Sequence, residues 1–494
     1  MSGTFAGLLD GCAALRPHRP LLVDTDGTTL GVADVADLSA LAASWLVDAG
    51  VRPGMTVAWQ FPSCIEAVIL MFALARMPVT QAPMIHLYRA REVAAAAAAA
   101  RVDVLLVDGH TAATTPPALT TIEVPADFVA RLRRYTSPPF RRDFSLAVRE
   151  TEWIYFTSGT TGKPKAVRHT DATLLSAARG YLAHLGLGSH PHEMGTITYP
   201  IAHVGGSIYL ATALLGDFPL LLVPKVTEEL PRLLAQHAVT VTNGTTAYYQ
   251  ILLAAQLAAP NATLLIPSLR MLAGGGAPCP PEVHEKVRRH LRVPIFHGYG
   301  MTEAPMTCVS EFGDTVEQLA NTAGRPAPGA QVRIGKNDEI QLCGTGLSPG
   351  YVDRDAWANA TTPDGWFRSG DLGHLRPDGR IVVTGRLKDV IIRKGENVAP
   401  DEIEAELLAH PLVEAVAVVG LPDKQSGEVI CAVVRRPRQG HREATLEELC
   451  TFLDARGLMK QKWPERLVYV DDFPSTGLGK IAKAELVRRL SPSE

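Results

Sequence analysis

Between Tyr155 and Val167 the chain reads YFTSGTTGKPKAV. Four hydroxyls, at Thr157, Ser158, Thr160 and Thr161, are interleaved with Gly159 and Gly162 and lead into Lys163 and Lys165. Glycines let successive backbone N–H groups turn toward one anion, hydroxyls add donors and lysines add point charge, so the segment suits phosphate. A Walker A loop needs GxxxxGK followed by Ser or Thr, whereas here the two glycines are three apart and Lys163 precedes Pro164. The bland alternative is a flexible Ser/Gly connection.

Five further segments carry similar chemistry. In His297–Glu303 (HGYGMTE) two glycines, Gly298 and Gly300, flank an aromatic ring. Tyr299 can stack on a base, Thr302 can reach a phosphate, and Glu303 can hold a hard cation, since Mg2+ prefers carboxylate and phosphate oxygens. Upstream, Gly274–Pro278 (GGGAP) has no bulky side chain through Gly275, Gly276 and Ala277, so a flat ligand can lie against its backbone; a tight strand-to-helix turn reads the same way. Gly365–Gly373 (GWFRSGDLG) sets Asp371 in a glycine turn, where its carboxylate can accept from two sugar hydroxyls. Gly385–Pro400 (GRLKDVIIRKGENVAP) brings Arg386 for the same ligand. Pro474–Lys483 (PSTGLGKIAK) is a glycine loop carrying Lys480, which taken alone reads as a solvated surface charge.

The elements that must position these loops alternate. Ala33–Ala49 reads as helix, Thr56–Phe61 as strand and Cys64–Arg76 as helix, a pattern of α/β layering. The run Ala94–Ala100 predicts a short helix before a buried strand over Val102–Val107. Prolines at Pro116, Pro117, Pro125, Pro138 and Pro139 predict irregular structure between His110 and Arg149. Strand Trp153–Phe156 enters the hydroxyl-rich loop, and alternation continues to about Gly385. The last part reads as a small α+β unit: strand Asp389–Arg393, helix Pro400–Ala409, strands Val413–Gly420 and Val429–Arg435, helix Leu446–Arg456.

The whole chain sets outer bounds. Its 494 residues favour at least two domains, and 46% apolar with 20% charged content is that of a globular protein. A net charge of -3 gives no global basic field for nucleic acid. Seven scattered cysteines without CxxC spacing fit a reducing compartment, and the first residues lack a secretory pattern, so a cytoplasmic location is expected. The apolar runs Ala67–Met77 and Ser207–Val223 are interrupted by Arg76, or by Gly216, Asp217 and Pro219, so no membrane span is expected. A homodimer is the default assembly, with no interface identified.

Taken together and in order, these segments resemble the adenylate-forming superfamily of acyl-CoA synthetases, luciferases and peptide-synthetase adenylation domains. The resemblance covers most of the chain and is strongest from Tyr155 to Lys483. It implies an α/β N-terminal domain of several layers with mixed sheets over residues 1–385, a hinge at 386–388 with Lys388 as the hinge residue, and a small mobile α+β lid over 389–494. It implies ATP, Mg2+ and coenzyme A, with the acyl-CoA synthetase branch fitting best. On that analogy Thr157–Lys165 hold the leaving phosphates, Gly275–Ala277 with Tyr299 and Gly300 the adenine, and Asp371 with Arg386 the ribose. Thr302 holds the α-phosphate, Glu303 the Mg2+, Lys480 is the catalytic lysine, and Gly395 with Glu396 approach the thiol.

Ala166 follows the second lysine where the family usually has glycine; if that position needs a positive φ, alanine costs about 1 kcal/mol. The alternative this leaves is an enzyme working mainly on a supplied acyl-adenylate. The segment Tyr199–Ser207 (YPIAHVGGS) implies an acyl pocket at His203, Val204, Gly205 and Ser207, with His203 between pocket and thiol tunnel. Gly205 and Gly206 stand where relatives often carry an aromatic ring, which predicts a wide pocket for a bulky alicyclic, polycyclic or aromatic acid, with a fatty acid as runner-up. No residue points to the oxygenation chemistry of a luciferase. The sequence ends at Glu494 with no carrier domain, which leaves a stand-alone ligase loading a separate carrier protein as a competitor.

Overall fold

Strand Thr56–Phe61 directs Val57, Trp59 and Phe61 into one hydrophobic core and Ala58 into another. Strand Leu220–Leu222 does the same, with Leu220 and Leu222 on one side and Leu221 on the other. Period-two apolar strands buried on both faces must lie inside α/β layers. The computed structural model describes residues 3–112, 115–140, 152–157, 164–259, 263–393, 396–423, 427–437, 442–475 and 481–491. The chain divides into two compact units, one of Met1–Val332 with Leu342–Phe367, the other of Arg333–Gln341 with Arg368–Glu494. The expected hinge residue Lys388 lies inside the second unit, in a short 3-10 turn, Leu387–Asp389.

The first unit is a mixed α/β domain built on two sheets. One has nine strands among the described residues; its middle is parallel, running Ile295–Tyr299, Met271–Gly275, Val241–Gly244, Gly195–Ile197, Leu220–Leu222 and Pro20–Val23. The other has seven, in the order Gly350–Tyr351, Lys165–His169, Trp153–Thr157, Thr80–Ile85, Thr56–Phe61, Val104–Val107, Thr121–Glu123. Helices Ile65–Arg76 and Val204–Gly216 share one core with the inner faces of both sheets. Both are buried on every face along most of their length, as a helix sandwiched between sheets must be. Arg76, which breaks the first run, is buried yet paired: its guanidinium donates to both oxygens of Asp10 at 2.9 and 2.6 Å and to Ser39 Oγ at 2.9 Å. Among the described residues no helix is long and apolar enough to cross a membrane.

The alanine run forms helix Ala90–Ala100, whose Ala96, Ala97 and Ala100 pack on the outer face of the seven-stranded sheet. The stretch expected to be irregular holds strand Thr121–Glu123 and helix Phe128–Leu132. Parallel pairing with Val104–Val107 and a T-shaped contact of Phe128 on Trp45, 5.0 Å between centroids, override the local proline signal.

The second unit holds an antiparallel hairpin, Phe367–Leu375 with Ile381–Arg386, and a five-stranded sheet made by Glu396–Val398, Ile391–Arg393, Gly427–Arg435, Val416–Asp423 and Arg466–Val470. Helix Lys483–Leu490 is tied to helix Pro400–Leu408 by Lys483, whose ammonium lies 3.1 Å from Asp401 and 2.7 Å from Glu404. Burial opposes the charge on Glu404 and pushes its carboxyl up to about 7, with Lys483 pulling the other way.

Candidate nucleotide and acyl site

Parallel α/β sheets bind ligands at the carboxyl ends of their strands, where loops leave the backbone open. In the nine-stranded sheet, Gly244 registers with Gly274, and Gly275 with Gly298. These glycines allow close approach: a Cβ on Gly275 would overlap the carbonyl of Gly298. The Tyr199 hydroxyl crosses the strand ends, donating to the Gly244 carbonyl at 2.7 Å and accepting from the Gly275 N–H at 3.2 Å. The segment expected to line the acyl pocket is thus pinned to the segment expected to face the base. Tyr299 closes the neighbouring strand and is buried.

The hydroxyl-rich segment joins two antiparallel strands. Thr157 ends one, Lys165 begins the next, and the two are register partners. Ser158, Gly159, Thr160, Thr161, Gly162 and Lys163 lie outside the described residues. Ala166 pairs with Phe156 in the strand and is absent from the residues of positive φ, so the backbone cost considered for alanine does not arise.

Strand Lys165–His169 meets the turn carrying Thr302 and Glu303 through the side chain of its last residue, His169. His169 is fully enclosed, and burial holds its imidazole down to about 4, against the pull of the Thr302 carbonyl. Being neutral, it carries its proton on Nε2, 2.7 Å from that carbonyl, which can only accept. Glu303 is 7% exposed. Its backbone carbonyl accepts from the Ser348 N–H at 2.8 Å, and its Oε1 accepts from the Tyr351 hydroxyl at 2.7 Å. Tyr351 in turn pairs with Val167 across the sheet edge, and the Lys165 ammonium sits 4.9 Å from the centre of its ring. Burial first, and the Glu303 charge second, push the Tyr351 phenol above its ordinary range, so it remains a donor. One tyrosine therefore joins Lys165 to the acidic turn.

The second oxygen of Glu303 and the Thr302 hydroxyl take no hydrogen bond among the described residues. A single hard carboxylate oxygen left open in this way suits Mg2+, which keeps most of its shell as water and phosphate oxygen. Among the described residues there is no cluster of three or more metal-ligating side chains.

His203 caps helix Val204–Gly216, its Nδ1 accepting from the Gly205 N–H at 3.1 Å, and its ring lies 5.9 Å from that of Tyr199. The room expected at the two following glycines is not there. A Cβ on Gly206 would stand 2.7 Å from the Pro200 carbonyl, because the Pro200–Ile201 backbone packs on it, and one on Gly205 would meet the His203 ring, 3.1 Å from its Nδ1. Ser207 faces the core, its hydroxyl donating to Ile201, and Val204 is buried.

Within the second unit, Asp371 and Arg386 face each other across the hairpin, 2.7 Å apart. Asp371 lies inside a nine-residue strand rather than in the expected turn. Cross-strand pairing outweighs the glycines on either side, and burial leaves its side chain 4% exposed. Glu396 opens strand Glu396–Val398, while Gly395 and Lys480 lie outside the described residues. Tyr351 and His169 were missed in the sequence; the only signal for Tyr351 is its place after Pro349 and Gly350.

A family model described as AMP-binding enzyme matches residues 9–352, and one described as AMP-binding enzyme C-terminal domain matches 402–480. The chain is 33% identical over 496 residues to a feruloyl-CoA synthase from an Amycolatopsis species, covering 97% of each. It is 26% identical to a medium-chain fatty-acid–CoA ligase of Escherichia coli, covering 97% of this chain and 90% of the relative. The solved structure of O-succinylbenzoate coenzyme A synthetase from Bacillus subtilis, in complex with ATP and magnesium ion, aligns with a TM-score of 0.82 at 25% identity, over 97% of this chain and 98% of that one.

Proposed function

The chain belongs to the family of AMP-binding enzymes and is an AMP-forming acid–thiol ligase, and from that premise we propose that it joins an aromatic carboxylic acid to coenzyme A through an acyl-adenylate. It is an acyl-CoA ligase using ATP, Mg2+ and coenzyme A. The observation that supports the adenylate step is the seating of Lys165 over the ring, and of Glu303 at the hydroxyl, of one side chain, Tyr351, in keeping with a phosphate cation and a metal carboxylate in one site.

In the proposed reaction a carboxylate oxygen attacks the α-phosphorus and pyrophosphate leaves. The thiol then attacks the acyl carbon, and AMP departs with that oxygen. Mg2+ supplies charge neutralisation at the phosphates. Lys165 and Thr157 hold the leaving phosphates with the loop between them, Thr302 the α-phosphate, Glu303 the metal, and the Gly275–Ala277 backbone with Tyr299 the base. Asp371 and Arg386 hold the ribose as a pair, Lys388 is the hinge, and Lys480 serves the first half-reaction while Gly395 and Glu396 serve the second. His203 stands at the junction of pocket and thiol path.

The aromatic preference rests on the feruloyl-CoA synthase relative and on the Tyr199 and His203 rings that edge the segment, tilted 32° to each other. All seven cysteines are free, in keeping with the reducing cytoplasm. A panel of hydroxycinnamic, benzoic, medium-chain fatty and short acids, with ATP, Mg2+ and CoA, tests the reading. Thioester formation fastest with an aromatic acid is expected. A fatty acid preferred by tenfold or more, or transfer to carrier-bound phosphopantetheine but not to CoA, overturns the substrate or the acceptor, respectively.

A further inference from the structure

Lys165 and Glu303 carry opposite charges and approach the same side chain, yet they make no ion pair with each other. An ammonium free to reach that carboxylate would close on it, since opposite charges at contact attract strongly in a partly buried setting. Both groups would then be lost to an incoming ligand. Both meet Tyr351 instead. Its hydroxyl occupies Glu303 Oε1 at 2.7 Å, and its ring face holds the Lys165 ammonium 4.9 Å from the centroid. The ring cannot easily move. It is 2% exposed, T-shaped against Trp357 at 5.1 Å, and its backbone is paired with Val167. A hydrogen bond at one carboxylate oxygen fixes the plane of the group, which aims the other oxygen, while a cation on an aromatic face keeps its charge available.

We infer that Tyr351 is a positioning residue with two separable duties: its hydroxyl orients Glu303 for the metal, and its ring holds Lys165 apart from Glu303 for phosphate. The inference rests on the reading of Glu303 as the metal carboxylate and Lys165 as a phosphate lysine. It separates the duties because phenylalanine keeps the ring and loses the hydroxyl, whereas leucine loses both.

The test uses equilibrium binding to the full-length protein. Mn2+ affinity of the ATP complex is measured by electron paramagnetic resonance, and metal-free ATP affinity by calorimetry in EDTA. Tyr351→Phe is expected to weaken Mn2+ binding roughly tenfold while leaving metal-free ATP within twofold, the loss of one charge-assisted hydrogen bond. Tyr351→Leu is expected to weaken both. Thermal melting checks the fold of each, and Tyr351→Phe keeps the test decisive if the leucine variant does not fold. Unchanged Mn2+ affinity in Tyr351→Phe overturns the hydroxyl's duty, and a folded Tyr351→Leu with unchanged metal-free ATP affinity overturns the ring's. Glu303→Gln, measured alongside, separates the levels. If it weakens Mn2+ binding and Tyr351→Phe does not, the Tyr351 role alone fails; if neither does, the reading of Glu303 fails as well.

Discussion

Replacing Lys480 with alanine is expected to cut adenylate formation by roughly 10²–10³ while leaving thioester formation from a supplied acyl-adenylate nearly intact. When a carboxylate attacks the α-phosphorus two anions approach, and charge gathers on the phosphoryl oxygens. A lysine placed there stabilises the transition state more than the ground state. When the thiol attacks the acyl carbon, the new charge develops on the carbonyl oxygen instead, away from the α-phosphorus. The described residues on either side of the lysine are anchored: Ser475 bridges to Ile481, the Ala482 N–H donates to the Pro474 carbonyl at 2.7 Å, and Lys483 is held by Asp401 and Glu404. The check is to assay each half-reaction separately, with pyrophosphate release for the first and CoA plus synthetic adenylate for the second. Equal losses in both would contradict the role.

Glu303→Gln should lower acid-dependent pyrophosphate release by about 10² or more at ordinary Mg2+ concentrations, the scale of losing one preorganised charged group at a phosphoryl site. The substitution is close to isosteric, and the amide oxygen still accepts from Tyr351 at the position Oε1 holds now. The fold is therefore expected to survive, with the negative charge as the principal loss. Raising Mg2+ should recover part of the rate, because the phosphates still bind the ion. A titration of rate against Mg2+ measures this, and a curve superimposable on that of the unaltered protein would remove Glu303 from the metal site.

Much of the architecture was readable because it follows from local periodicity. Thr56–Phe61 alternates, Ala67–Ala75 is an unbroken apolar run, and the alanine run has one dominant propensity, so each forms the element its pattern requires. The site was readable where one short segment holds its own chemistry, as with Lys165 or Glu303. Features set by distant neighbours were not. Gly206 looks like empty space until the Pro200 carbonyl is found against it, and Ala166 looks like a defect until its partner Phe156 shows an extended strand. Tyr351 stands 48 residues from the carboxylate it holds, and nothing in its local sequence states that pairing.

An isotope experiment tests the acyl-adenylate most directly. With the acid labelled by oxygen-18 in its carboxylate, and ATP, Mg2+ and CoA supplied, the oxygen that bonds to the α-phosphorus must leave on the nucleotide when the thiol displaces it. The expected result, by mass spectrometry, is one labelled oxygen in AMP for each thioester formed. Label in orthophosphate, or ADP as the nucleotide product, would show that the acid was activated by another route.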